Sequence, residues 1–395
     1  MRKETPYLLG SQIRIDAHIH FTPPEMAEDL TAFAAQEPYW GLLITPNEAN
    51  HTAQGWATPE RTVADMHQAG IDRVVILGEY RHSHASSRAR SDQSLAIMRR
   101  WPDQVSAFAC IQPKAGQAAL DELERCLDQG MLGVGESNPY GQGHTLEDPD
   151  FLQIVEACID HDVPLNLHVS EEIGHYYLGK STTPLRHYYR LARQYPELKL
   201  ILAHWGGGLF LYEMMPEVRR DLANVWYDTA ASPLLYPTGT IFDVALDCVD
   251  HRKLLYGSDY PLLILPKKQK EPDFRPFLQE IEALDLPEEV YRDILGDNMA
   301  RLLGWLDTGS GEPVAKGRNK PDPTLADPVT GLVPVVAIAQ RWPETARVFE
   351  KYGIPYEDSP VPDWEPVAQA AAAKGYGPEK QARLLEELNE IIASR

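Results

Sequence analysis

The stretch IRIDAHIHF, residues 13–21, sets two histidines one residue apart at the end of a short apolar run. On an extended strand successive side chains take opposite faces. His18 and His20 are therefore expected to project together, with Asp16 and Arg14, while Ile13, Ile15, Ala17 and Ile19 take the other face. Two imidazoles side by side can ligate a divalent metal. The pair alone does not establish ligation, because any strand with polar residues on its wet side alternates in the same way. The same parity argument recurs in PLNLHVS from 164, KLILAHWGGG from 199 and LLYGSDYP from 254. It sets His168, His204 and Asp259 at the ends of three later apolar runs.

These residues need elements to hold them. Besides the four runs above, RVVILGEY from 73, VSAFACIQP from 105, MLGVGESNP from 131 and VWYDTAAS from 225 read as strands, which makes eight. Segments with helical spacing lie between them, among them TVADMHQAG, LDELERCLDQG, DFLQIVEACIDHD and LRHYYRLARQYP. Strand alternating with helix eight times predicts an α/β fold, a (β/α)8 TIM barrel. No G-x-G-x-x-G follows the first strand, as a dinucleotide-binding open sheet would require. In a barrel the carboxyl ends of all strands share one mouth. His18, His20, His168, His204 and Asp259 are thus expected to converge there, around a divalent metal with one position left open for water.

Composition narrows the partners. The chain has 395 residues, 43% of them apolar, with 58 acidic against 37 basic side chains and a formal charge of −21. That charge disfavours nucleic acid and anionic membranes. A small-molecule substrate is expected. Cys110, Cys126, Cys158 and Cys248 have no CxxC spacing, and neither a signal-peptide core nor a membrane-length apolar run is visible, so a cytoplasmic protein is expected. Beyond the eighth strand GSGEPVAKGRNKPDPTLADPVTG reads as a linker, and four short helical patterns follow it. The expected organisation is a barrel over 1–308, a linker over 309–326 and a small all-α domain over 327–395.

DAHIHF, LHVS, LAHWGGG and YGSDYP together resemble the amidohydrolase superfamily of metal-dependent barrel enzymes, in particular its amidohydrolase-related branch, over roughly residues 13–306. The resemblance implies that His18, His20 and His168 are metal ligands, that Asp259 is both ligand and proton shuttle, and that His204 orients water or substrate. Zinc is the metal it implies, as one ion or as two. Glu136, in GVGESNPYGQG, stands where some branches carry a group that bridges two metals, and no lysine is present there. Its other reading is a substrate contact. Residues 327–393 resemble a small helical domain also found at the N-terminus of iron-sulfur cluster repair proteins, without the cysteines those relatives carry.

Three further expectations concern binding. Arg81, Arg88 and Arg90 in GEYRHSHASSRARSDQ make a basic loop after the second strand, and Arg81 is expected to grip a substrate carboxylate. Asp16 either braces an imidazole or binds backbone. Residues 170–184 are expected to form a lid. The expected activity is metal-dependent hydrolysis of an amide, lactone or similar bond in a small anionic molecule. The alternatives are non-oxidative decarboxylation of an aromatic or unsaturated acid, and a non-catalytic scaffold. Homo-oligomerisation, or a protein partner bound through the helical tail, is left open.

Overall fold

A computed structural model of the chain describes residues 13–46, 52–306, 329–356 and 365–393. The linker expected over 309–326 lies outside them. The chain separates into two compact units, Met1–Arg318 and Asn319–Arg395.

Among its described residues the first unit contains eight strands, β1 (Ile15–Ile19), β2 (Arg73–Ile76), β3 (Val105–Ala107), β4 (Val134–Ser137), β5 (Leu165–Leu167), β6 (Leu200–Leu202), β7 (Val225–Asp228) and β8 (Leu254–Leu255). All paired neighbours are parallel, in the orders β1-β2-β3 and β4-β5-β6-β7-β8. Bridges Ala109↔Val134 and Ile19↔Tyr260 join the two sheets at both seams. The result is a closed barrel, the architecture expected from the alternation.

The strands are short, and their alternating side chains divide between two cores. Leu165, Leu167, Leu200, Leu202, Val225 and Tyr227 face outward among helix residues such as Leu123, Ile154 and Leu191. Val75, Leu77, Phe108, Ile201 and Leu255 form a separate cluster spanning β2, β3, β6 and β8, which only the barrel interior allows.

Strand β1 departs from the expected alternation. Ile15 and Ala17 belong to the interior cluster, Ile19 to the helix-facing one, and the register against β2 shifts between Asp16 and Ile19. Arg14 reaches outward to Glu282 (3.0 Å) and the Tyr291 hydroxyl (3.1 Å). The four even positions therefore do not share one face. The cause is local: Asp16 Oδ1 accepts the backbone N–H of His18 at 3.1 Å and that of Ser258 at 3.1 Å, which bulges the strand and turns the histidines inward.

Between β1 and the first long helix, α4 (Pro59–Gln68), the chain folds into three short helices, α1 (Pro24–Glu28), α2 (Leu30–Gln36) and α3 (Pro38–Ile44), with their own small core of Met26, Phe33 and Ile44. The basic segment after β2 is mostly helix rather than loop. Helix α5 (His84–Arg100) starts at a capping box in which Ser83 and Ser86 satisfy each other's backbone N–H groups. The second unit contains helices Val335–Arg341, Ala346–Lys351, Val367–Ala373 and Pro378–Ala393 around Ile338, Phe349, Ala371, Leu384 and Leu388. Among the described residues no helix is long and apolar enough to cross a membrane.

Candidate metal centre

The structure gathers six of the seven singled-out residues at the barrel mouth in two groups. His18, His20 and Asp259 offer ligand atoms within 4.8 Å of one another, and so do Glu136, His168 and His204. The Nε2 atoms of His18 and His20 stand 3.3 Å apart, and Asp259 Oδ1 lies 3.2 Å from the latter and 3.8 Å from the former. In the other group Glu136 Oε1 is 2.7 Å from His168 Nδ1 and 3.4 Å from His204 Nε2. The second oxygen of Glu136 faces back, 3.9 Å from His18 Nε2 and 3.8 Å from His20 Nε2. Glu136 is the hinge between the groups, and His168 falls with His204 rather than with the histidine pair.

Backbone geometry aims these groups. Asp259 and His204 have φ of 63° and 57°, left-handed values that cost a non-glycine residue roughly 1–2 kcal/mol. Asp259 is held there because its N–H bonds the carbonyl of His18 at 2.9 Å. His204 is held because its N–H bonds Asp228 Oδ1 at 3.0 Å. Two glycines make the room. A Cβ on Gly257 would stand 2.8 Å from that of His18, and one on Gly207 would stand 2.6 Å from the Ser170 carbonyl. The run at Gly206–Gly208 thus serves a tight turn after β6, packed on the β5 loop.

Sequence reasoning missed Asp228. It ends β7 and is fully buried; its Oδ2 lies 2.9 Å from His18 Nδ1 and accepts from Asn166 Nδ2 at 3.2 Å, and its Oδ1 also takes the Ala230 N–H. It braces the His18 imidazole, the task that strand parity suggests for Asp16. The signal was present: Asp228 is a carboxylate at the carboxyl end of a strand, as Asp259 is.

Electrostatics follow from this packing. Among the described residues Glu136, Asp228 and Asp259 find their ion-pair partners in histidines alone. Burial opposes charge on His18, but Asp228 beside it, with Glu136 and Asp259, outweighs this and raises its pKa to about 10. Burial likewise opposes charge on His204, yet Glu136 and Asp259 lift it to about 9. The imidazoles in turn overcome burial and hold Glu136 well below the usual carboxylate range and Asp259 below it. A divalent ion bound among these groups would supply the positive charge that protonated imidazoles otherwise provide, releasing those protons. Neutral imidazole nitrogens and carboxylate oxygens at these spacings are donors that suit a divalent ion, so the residues present fit such a metal.

The donors open into a cavity of about 490 Å³ lined largely by apolar side chains, with His20, Glu136, His168, His204 and Asp259 on its floor. Arg81 is not brought to it. Its guanidinium is 1% exposed, paired with Glu79 at 3.4 Å and packed over the rings of Phe33 and Trp40. Arg90 is buried too, with Nη2 donating to Glu79 at 2.6 Å, and Arg88 turns away towards Glu122. Glu79, an acid that sequence reasoning also missed, holds Arg81 and Arg90 while Glu122 takes Arg88, and none of the three arginines lines the cavity. Lid residues do line the mouth, among them Ile173, Tyr177 and Leu178.

Solved structures share this fold. A 5-carboxyvanillate decarboxylase from Novosphingobium aromaticivorans DSM 12444, complexed with manganese and 4-hydroxy-3-methoxy-5-nitrobenzoic acid, is similar with a TM-score of 0.59 at 16% identity, over 74% of this chain and 96% of that one. A dihydroxybenzoic acid decarboxylase from Polaromonas sp. JS666, with bound manganese and the inhibitor 2-nitroresorcinol, matches with a TM-score of 0.54 at 18% identity, over 74% and 97%. A 2,6-dihydroxybenzoate decarboxylase from Rhizobium matches with 0.53 at 17%, over 75% and 99%. The amidohydrolase family profile matches residues 15–305, most of the chain, and the chain belongs to that family.

Proposed function

We propose that this protein is a metal-dependent, non-oxidative decarboxylase of an aromatic or unsaturated carboxylic acid. The observation that carries the reading is a cluster of metal-donor side chains at the floor of a mostly apolar cavity. Taking a carboxylate out of water destabilises its localised charge, which departure of neutral carbon dioxide moves onto the carbon left behind, whereas hydrolysis needs water admitted to the same place. The likeness of fold to decarboxylases of benzoate-type acids supports the same choice. Hydrolysis, the first expectation, becomes the second reading.

His18, His20 and Asp259 would hold the ion, with Glu136 bridging towards His168 and His204 where a second is bound. When bound, the ion would supply positive charge that attracts the substrate carboxylate to the floor. Zinc and manganese both suit nitrogen and oxygen donors of this kind. The reaction breaks one C–C bond, releases carbon dioxide and needs one proton at the carbon left behind. His204 and Asp259 would deliver it, a reading supported by their proximity at the cavity floor, with Asp259 Oδ2 3.9 Å from His204 Nδ1 and that nitrogen held by the Ala230 carbonyl at 3.0 Å.

Purified protein of known metal content, incubated with a panel of hydroxybenzoates and unsaturated acids, is expected to release carbon dioxide and return the protonated product. Cleavage with uptake of oxygen from labelled water and no carbon dioxide would move the assignment to hydrolysis.

A further inference from the structure

We propose that the cavity selects a monoacid whose body is apolar and larger than one aromatic ring, and that helices α1–α3 set this preference. The inference deepens the decarboxylase reading and rests on its placement of the substrate carboxylate at the donor floor. The first observation is size. A cavity of about 150 Å³ is enough for benzene, and this one measures about 490 Å³. A single-ring acid on the floor leaves most of it unfilled.

The second observation is lining. Above the floor the walls include Met26, Leu43 and Ile44 from α1–α3, Leu178 from the β5 loop, and Leu235 and Leu262 from the loops after β7 and β8. Among the described residues no lysine or arginine lines the cavity. The acids that line the cavity besides the donors are already paired, Glu171 with Lys180 at 2.7 Å and Glu79, 3.9 Å from His20, with Arg90. A second anionic group on the substrate would meet no ammonium or guanidinium there, only scattered neutral donors such as Gln54, Tyr177 and Tyr236 among apolar side chains, too little to offset its lost hydration. An apolar group would be buried with a gain of about fourfold in affinity for each methylene.

The third observation is that this wall is braced rather than loose. The Trp40 indole N–H donates to the Tyr80 carbonyl at 2.7 Å, and the two rings stack at 5.1 Å between centroids. The Tyr39 hydroxyl donates to the Gly179 carbonyl. Helix α3 is thereby tied to the loops after β2 and β5, so the volume is preformed and binding need not order it.

Calorimetric titration of the full-length, metal-assayed protein with benzoate, biphenyl-3-carboxylate and benzene-1,3-dicarboxylate tests the proposal. The two-ring acid is expected to bind at least about tenfold more tightly than benzoate, with the more negative heat-capacity change of apolar burial. The diacid is expected to bind no more tightly than benzoate. Leu43→Glu, at a half-buried position on the wall, should weaken the two-ring acid at least about tenfold more than it weakens benzoate. Retained benzoate binding reports an intact floor. Equal affinity for the one- and two-ring acids, tighter binding of the diacid, a Leu43→Glu protein that keeps the two-ring preference, or no binding of any probe overturns the proposal. Two-ring preference without carbon dioxide from any acid defeats the decarboxylase reading alone. Carbon dioxide release without two-ring preference defeats this inference alone.

Discussion

Three groups of histidine and carboxylate side chains in the described residues come close enough to hold an ion, and two regions of the molecule treat them differently. At the barrel mouth the donors of His18, His20, Asp259, Glu136 and His204 are buried, and their carboxylates have histidines for partners. Near the start of β8, His251, Glu289 and Asp293 form a group of the same residue types, but Glu289 is exposed and Arg301 Nη2 already sits 2.7 Å from Asp293 Oδ1. An arginine supplies the positive charge there that an ion would bring. Residue type and proximity are therefore not enough. A metal centre also needs desolvation, an absence of competing protein cations, and bracing behind the ligands. The mouth has all three.

The largest effect expected from that contrast is at Asp259. Asp259→Asn keeps the shape and removes the charge that pairs with His20 at 3.2 Å and, on the proposed function, a group that carries the proton. Turnover is expected to fall by about a hundred- to ten-thousand-fold, measured against protein loaded to equal metal content. Full activity in the variant would remove Asp259 from the chemistry. Next comes the bracing. Asp228→Asn leaves His18 in place but weakens the 2.9 Å contact that fixes its ring, and metal affinity is expected to drop by about ten- to a hundredfold in competition with a chelator. Unchanged affinity would make Asp228 a fold residue only.

Much of this was legible in the sequence because a barrel converts strand parity into convergence. His18, His20, His168, His204 and Asp259 sit at the ends of apolar runs, and closure brings those ends together, although the left-handed backbone that aims His204 and Asp259 is not visible in parity. Parity fails where a side chain competes with the ladder: Asp16 takes the N–H of His18, and the resulting bulge is invisible to a period-two reading. It fails again where charge pairing is long-range. Arg81 looks free to meet a substrate as long as Glu79 is read as part of a strand and not as a buried acid with two guanidiniums to neutralise. The cavity wall in α1–α3 has no periodic signal, since its three helices are of five to seven residues and each is held by tertiary contacts.

Asp16 offers a sharper use of the contrast, as a buried carboxylate with no neutralising cation bonded to it among the described residues. Its Oδ2 has no hydrogen-bond partner there, and burial raises its pKa from 3.8 to about 7 against the smaller pull of its Ser258 and His18 bonds. A carboxyl held above its unfolded value contributes stability that is whole below about pH 4 and is lost as pH rises through about 7. Asp16→Asn keeps an acceptor for the two backbone N–H groups and cannot ionise. The melting temperature of the variant relative to the parent should rise between pH 4 and pH 8, by an amount worth a few kcal/mol at most, since a tenfold difference in proton affinity between folded and unfolded chains is worth about 1.4 kcal/mol. A flat difference would mean that Asp16 is charged in the folded protein and has a cation nearby.

The smallest effect belongs to the third group and is the one that guards the comparison itself. His251→Ala removes a side chain that is 27% exposed and 2.9 Å from Asp293, yet Asp293 keeps Arg301, and the His251 backbone carbonyl still accepts from Asn298. A partly exposed pair of this kind is worth about 0–1 kcal/mol, so the midpoint of unfolding should barely move. Metal content per chain should not change at all. If elemental analysis of His251→Ala showed one ion fewer than the parent, then an arginine beside a carboxylate would not suffice to exclude a cation. The distinction between the mouth and the rest of the barrel would then have to rest on bracing by Asp228 and on burial, which are the features the Asp228→Asn variant measures independently.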